Sequence, residues 1–179
     1  MEKKTFTINL SVKDIENLKK ELVNYRDNEL PRKCEQLVKR LLEVGITVSQ
    51  TKVDESPLGK YVVLTTNISP KEYGCNGILL AKGQLIENEG YEPFSTILAI
   101  EFGAGIYHNK TPNPEASKLG YGVGTFPNQI HAFEDMWFYW DEDDRQWKPT
   151  HGVKATMPMY SAKIKIIESA TAIAKEVFG

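Results

Sequence analysis

The chain has 179 residues, 41% of them hydrophobic, enough for one domain with a real core and crowded for two. Its formal net charge is -2, its pI lies near 6.0, and its basic residues are scattered apart from short spots such as Lys3-Lys4, Lys19-Lys20 and Arg32-Lys33. No basic stripe argues for sequence-specific nucleic-acid binding, no apolar run approaches the ~20 residues of a membrane span, and no signal-like stretch follows Met1, so synthesis in a cytoplasm is expected.

Phe6-Thr7-Ile8-Asn9-Leu10 alternates as a short strand, and Ser11, three residues before Asp14, has the form of a helix N-cap. Ile15, Leu18, Leu22 and Tyr25 recur at helical spacing, as do Leu37, Val38, Leu41 and Leu42 beyond Pro31. The pattern predicts a long N-terminal helix, kinked or broken at Leu30-Pro31, where proline removes a donor, and capped at Gly45. Its charged side is read as solvated and its apolar side as packing on a sheet.

Beyond Gly45 the pattern becomes strand-like. Ile46 to Val53 and Tyr61 to Ile68 are rich in β-branched residues and flank the turn residues Asp54 to Gly59, which predicts a hairpin. Asn76 to Ile86 and Ser95 to Phe102 are the next strands, separated by turn chemistry over Glu87 to Pro93. A helix over Ser161 to Val177 closes the chain. The expected fold is α+β: an antiparallel sheet of about four strands, with the N-terminal and C-terminal helices on one face, forming a single domain over 1–179.

Residues 103–155 are expected to form a long flexible insertion, because Gly103, Gly105, Gly120, Gly122, Gly124 and Gly152 stand there with Pro112, Pro114, Pro127 and Pro149. Within it, Met136 to Trp140 and Gln146 to Lys148 flank Asp141 to Arg145, the pattern of an aromatic hairpin with an acidic tip. Alternation puts Trp137 and Tyr139 on one side and Phe138 and Trp140 on the other, so both sides need cover, from this chain or from a neighbouring subunit. The acidic tip does not follow the calcium-loop pattern, which needs Gly and Glu where this chain has Gln146 and Gly152. His108, His131 and His151 lack metal-ligand spacing, and Cys34 and Cys75 lack metal or redox spacing and are expected as free thiols. Gly120-Tyr121-Gly122-Val123-Gly124 lacks the lysine of a phosphate loop, and Glu101 is a lone carboxylate with no second acid placed for catalysis, so a structural hydrogen-bonding or interface role is expected for it. No metal and no cofactor is expected.

The N-terminal helix, the apparent strand ending Ile100-Glu101-Phe102-Gly103, the variable excursion, and Met157-Pro158-Met159-Tyr160-Ser161-Ala162 opening the last helix together give a recognisable order. That order resembles the HK97 gp10-like family of phage tail completion and head-tail joining proteins, over the two ends of the chain. Lys154 to Met159 is less basic than the Pro-rich stretch of many relatives. The resemblance implies a structural virion protein of the neck or tail and not an enzyme, assembled in the bacterial cytoplasm as a ring of roughly six or twelve copies. The implied partners are a connector or head completion protein on one side and a tail terminator or tail tube protein on the other. Trp137, Phe138, Tyr139, Trp140, Trp147, Met157, Met159 and Tyr160 are the candidate interface residues. Two other readings stand beside it: a small phage-encoded hydrolase using His108, His131 or His151 with Glu101, and a host-directed binding protein.

Overall fold

The computed structural model describes residues 11–72, 74–88, 91–105, 113–121, 131, 134–141 and 143–179; the expected strand Phe6 to Leu10, His108, Gly122 and Gly124 lie outside them. The chain divides into two compact units, one of residues 1–45, 66–79 and 165–179, the other of 46–65 and 80–164.

In the first unit, Ser11 opens helix α1 (Val12–Asn24): its hydroxyl oxygen accepts from the Asp14 amide at 3.2 Å and its proton goes to the Asp14 carboxylate at 2.6 Å. A π-helical turn, Tyr25–Glu29, follows, and Leu30 donates to the carbonyl of Tyr25, five residues back. Helix α2 (Leu30–Asp54) then continues through Pro31. The widened turn stands just ahead of the proline, whose ring would crowd the carbonyl four residues back in an ordinary helix. Nor does the helix stop at Gly45. A Cβ there would lie 2.6 Å from Ile166 Cδ1 and 3.2 Å from Leu79 Cδ2, so this glycine permits close packing and is not a cap. The expected strand Ile46 to Val53, and with it the expected hairpin to Tyr61–Ile68, is instead the last two turns of α2. Leu42, Ser49 and Val53 are buried at helical spacing, and that burial outweighs the β-branched residues between them.

Strands β1 (Val63–Lys71) and β2 (Gly74–Lys82) pair with each other, and a Cβ on Gly77 would lie 2.4 Å from Val38 Cγ1, which shows how closely α2 approaches β2. The last helix reaches into this unit with buried Ile173 and Val177, and Arg40 pairs with Glu176 at 2.5 Å. α1 departs from expectation. It carries no buried residue, and Val12, Ile15 and Leu22 are 75%, 50% and 49% exposed, so its apolar stripe is not packed on a sheet.

The second unit contains β3 (Leu85–Asn88) antiparallel to β4 (Tyr91–Ser95), with Leu85 opposite Ser95 and Ile86 opposite Phe94. Most of the stretch read as turn chemistry is therefore strand. The expected strand Ser95 to Phe102 is helix α3 (Thr96–Phe102): Ser95 accepts from the Leu98 amide, and Gly103, at φ 83, ends the helix with its amide on the Ala99 carbonyl at 2.8 Å. Thr96, Ala99 and Ile100 are all 0% exposed, at spacings of three and four residues that only a helix turns to one side. Thr96 also ties α3 to the hairpin, its amide and hydroxyl both bonding Gln84. Around Ala99, Phe102, Ala104 and Ala116 the core is filled by Leu58, Phe94, Leu98, Tyr121 and Val153, with the Phe102 and Tyr121 rings 4.5 Å apart.

Strand β5 (Ala104–Gly105) pairs with a distant short strand, Gly152–Val153, and β6 (Trp137–Asp141) pairs with β7 (Gln146–Thr150). The Gly152–Val153 strand is β8, and helix α4 (Pro158–Phe178) follows it. The fold is α+β with a long N-terminal helix and a C-terminal helix, but the described strands form four two-stranded sheets in place of one sheet of about four. Among the described residues no helix is long and apolar enough to cross a membrane.

Candidate functional site: an aromatic hairpin face

The β6–β7 hairpin has a defined register: Trp137 faces Thr150, Phe138 faces Pro149, Tyr139 faces Lys148, Trp140 faces Trp147, and Asp141 faces Gln146. Directly opposed residues share a face. One face therefore carries Trp137, Tyr139, Asp141, Gln146, Lys148 and Thr150, and the other Phe138, Trp140, Trp147 and Pro149.

The first face is the anchored one. The Trp137 ring lies over the β5–β8 pair so closely that a Cβ on Gly105 would be 2.3 Å from its Cη2, and a Cβ on Gly152 would be 3.0 Å from the same atom. Both glycines have positive φ, 64° and 103°, and a Cβ on Gly152 would also meet the Ala104 carbonyl oxygen at 2.1 Å. No other residue satisfies both demands at position 152. The His131 ring stacks on Trp137 at 4.7 Å and 14°, with the imidazole Nδ1 3.0 Å from Glu134. At the tip, Asp141 accepts from the Asp144 amide at 2.9 Å, and Lys148 bridges Asp141 and Asp144. That amide bond and the Lys148 cation hold the Asp141 carboxyl below its ordinary value, while the Lys148 ammonium is raised by its two carboxylate partners. Arg145, at φ 50, completes the turn, and Lys60 reaches Asp143 at 3.2 Å.

The second face is open. Phe138, Trp140 and Trp147 are 57%, 44% and 65% exposed, and the two indoles meet edge to face at 5.8 Å and 71°. At ~150–250 Å² per aromatic side chain, the three leave roughly 350 Å² of ring surface in water, the size of patch that on a monomer is commonly functional. The edge-to-face contact orients the two indoles against each other and lowers the rotamer entropy that covering them would cost.

The other candidate interface residues, Met157, Met159 and Tyr160, belong to a different element. Met157, at φ 54, is the cap position of α4, and Met159 and Tyr160 form its first turn with Pro158 as the first helical residue. The Met159 and Tyr160 amides donate to Glu101 Oε2 and Oε1 at 2.9 and 3.0 Å. Asn113 Nδ2 donates to Oε1 at 2.9 Å, and the Thr156 amide donates to the Ile100 carbonyl at 2.9 Å. Glu101 is thus a cap for α4 supplied from α3, a favourable place for a carboxylate at a helix N-terminus. Burial nevertheless raises its carboxyl above the ordinary value, the three hydrogen bonds opposing only in part. Ser49 donates to the Pro158 carbonyl at 3.2 Å and fixes the same segment from α2.

The two described histidines are separately engaged: His131 on Trp137, and His151 with Nδ1 against the Asp135 carbonyl. No three His, Cys, Asp or Glu side chains among the described residues gather as metal ligands. The sequence reading missed Asn113 and the two α4 amides as partners of Glu101. It also missed Pro149 as a member of the open face, although its offset from Phe138 follows from the four-residue tip. No family model, no curated protein and no solved structure matches the chain.

Proposed function

We propose that this chain is a structural subunit of a phage neck or tail, acting in tail completion and head-tail joining as one member of a ring of roughly six or twelve copies. The observation that carries the docking role is the open hairpin face: Phe138, Trp140, Trp147 and Pro149, water-exposed on a hairpin whose other face is anchored through Trp137. The partner is a neck protein, a connector or head completion protein on one side or a tail terminator or tail tube protein on the other. The phage assignment draws on the family resemblance, carried now by the N-terminal helix and by Met157 to Ala162 opening α4; the apparent strand ending in Glu-Phe-Gly is helix α3. Against a hydrolytic role stands the use of Glu101, both of whose oxygens are taken by helix amides and Asn113.

An interface of standard size covers ~800 Å² on each partner, so the aromatic face supplies its centre and the surrounding polar residues its rim. Truncating a central tryptophan commonly costs ~2 kcal/mol or more of binding, roughly thirtyfold in affinity. Trp140→Ala/Trp147→Ala in the parent phage is expected to leave the protein folded and abundant while lysates fill with unjoined DNA-filled heads and tails, seen by negative-stain electron microscopy. Intact infectious virions from that variant would overturn the docking role of this face. Intact virions from a strain lacking the gene altogether would overturn the assembly reading itself.

A further inference from the structure

Helix α1 presents a second uncovered surface. Ile15, Leu18, Leu22 and Tyr25 follow one another at spacings of three, four and three residues, the a and d positions of a heptad. No residue of α1 is buried, and Ile15 and Leu22 are half exposed. The one-residue slip in the π-turn moves the next a position from Glu29 to Leu30, so the apolar line continues into α2.

The charges beside the stripe choose its occupant. In this heptad Asp14 and Glu21 hold the g positions and Lys19 and Arg26 the e positions. When two copies lie parallel and in register, each g residue faces the e residue five places on in the other helix. Asp14 then meets Lys19 and Glu21 meets Arg26, opposite charges on both sides of the seam. In an antiparallel pair g faces g and e faces e, and every contact is between like charges. Arg26 already holds Asp27 of its own helix through Nε and Nη2, and its fork of five N–H donors allows it to serve a second carboxylate.

We propose that α1 is a self-association helix whose partner is the α1 of a second copy of this chain, packed parallel and in register. The inference stands on α1 alone and does not rest on the phage reading. It assigns the stripe a role separate from that of the aromatic hairpin.

The test is sedimentation of the full chain over a range of concentrations, with Leu22→Asp, Arg26→Glu and the charge swap Glu21→Lys/Arg26→Glu. Because neither α1 nor the π-turn buries a residue, all three variants should melt at the wild-type temperature at dilutions where the wild type is monomeric, which separates loss of association from loss of fold. The wild type should gain mass with concentration and Leu22→Asp should not. Arg26→Glu should weaken association roughly tenfold, since two symmetry-related exposed pairs turn from attraction to repulsion, and the swap should restore it. A wild type that stays monomeric, association indifferent to Leu22→Asp, or a swap that fails to recover would each overturn the proposal. Trp140→Ala/Trp147→Ala should leave self-association unchanged, so a failure of the hairpin reading and a failure of this one are told apart.

Discussion

Replacing Glu101 tests whether the buried carboxylate is a structural cap or a spare catalytic group. The side chain is 8% exposed and accepts from the Met159 and Tyr160 amides and from Asn113, itself 4% exposed. Glu101→Ala leaves those three donors without their acceptor, at ~1–3 kcal/mol for each buried donor left unpaired. Relief from burying a charge offsets part of that, leaving a net loss of about 3 kcal/mol, or ~6–12 °C in melting temperature for a chain of this size. Glu101→Gln keeps one acceptor oxygen and turns an N–H₂ toward a donor, so its cost should be about half. The pH dependence distinguishes the two variants further. Burial raises the folded-state carboxyl above its ordinary 4.5, so between these values the folded protein binds more protons than the unfolded chain, and the Glu101 contribution falls as pH rises. The advantage of wild type over Glu101→Gln should therefore be largest in acid, shrink through that window, and level off above the raised value. Calorimetric melting of the three proteins across mildly acid to neutral pH measures this. A Glu101→Ala protein melting within about 1 °C of wild type would refute the cap, and an advantage over Glu101→Gln that grows with pH would refute the raised carboxyl.

Three further outcomes follow from the packing. Gly152→Ala places a Cβ 2.1 Å from the Ala104 carbonyl at a φ of 103°, and should cost ~3 kcal/mol or more, read as a melting drop of at least about 6 °C. Trp137→Ala strips the anchored face and should cost ~3–5 kcal/mol by chemical denaturation, whereas Trp140→Ala/Trp147→Ala, on the open face, should move the melting temperature by no more than about 2 °C. Gly45→Val drives a branched side chain into Ile166 and Leu79 and should destabilise by ~1–3 kcal/mol in the same assay.

What the sequence made legible follows the strength of its local signals. The Ser11 cap, the helical spacing from Ile15 to Leu42, the aromatic hairpin with its acidic tip and the last helix all carry strong period or turn chemistry, and each is present. The two apolar or β-branched runs, Ile46 to Val53 and Ser95 to Phe102, read as strands for one reason: over so few residues, periodicity does not separate a buried helix from a buried strand. The deciding signals were Ser95 and Gly103, an N-cap and a C-terminal glycine spaced for two helical turns, and the small residues Gly45 and Ser49 aligned with Leu42 and Val53. At the site, the alternation of the hairpin was readable from sequence. That one face would be pinned by Trp137 on two glycines of a distant strand pair was not, because Gly105 and Gly152 are brought together only by tertiary pairing. The same holds for Glu101, whose partners lie 12, 58 and 59 residues away.

The distribution of burial is consistent with the proposed assembly role. Among the described residues, the buried carboxylate caps a helix, one histidine stacks on an anchoring tryptophan, and another is held against a backbone carbonyl. Apolar side chains are left in water at several places among the described residues, Val63, Ile78 and Ile167 included, and two groups of them are organised: a stripe on α1 bordered by charges of alternating sign, and a hairpin face whose two indoles meet edge to face. A folded chain leaves large rigid apolar groups exposed at a cost of ~25 cal/mol per Å², a cost recovered only when a partner covers them. Two such surfaces with different borders suit two different partners. The charge-zippered stripe selects a second copy, because its e and g residues complement only themselves in parallel. The aromatic face has no comparable self-complementary charge pattern and suits a different protein. On these two proposals, a subunit pairs with a second copy through one element and docks a different protein through the other. Disabling either surface should therefore stop a different step: Leu22→Asp should leave separated subunits, and Trp140→Ala/Trp147→Ala should leave self-associated subunits that fail to join.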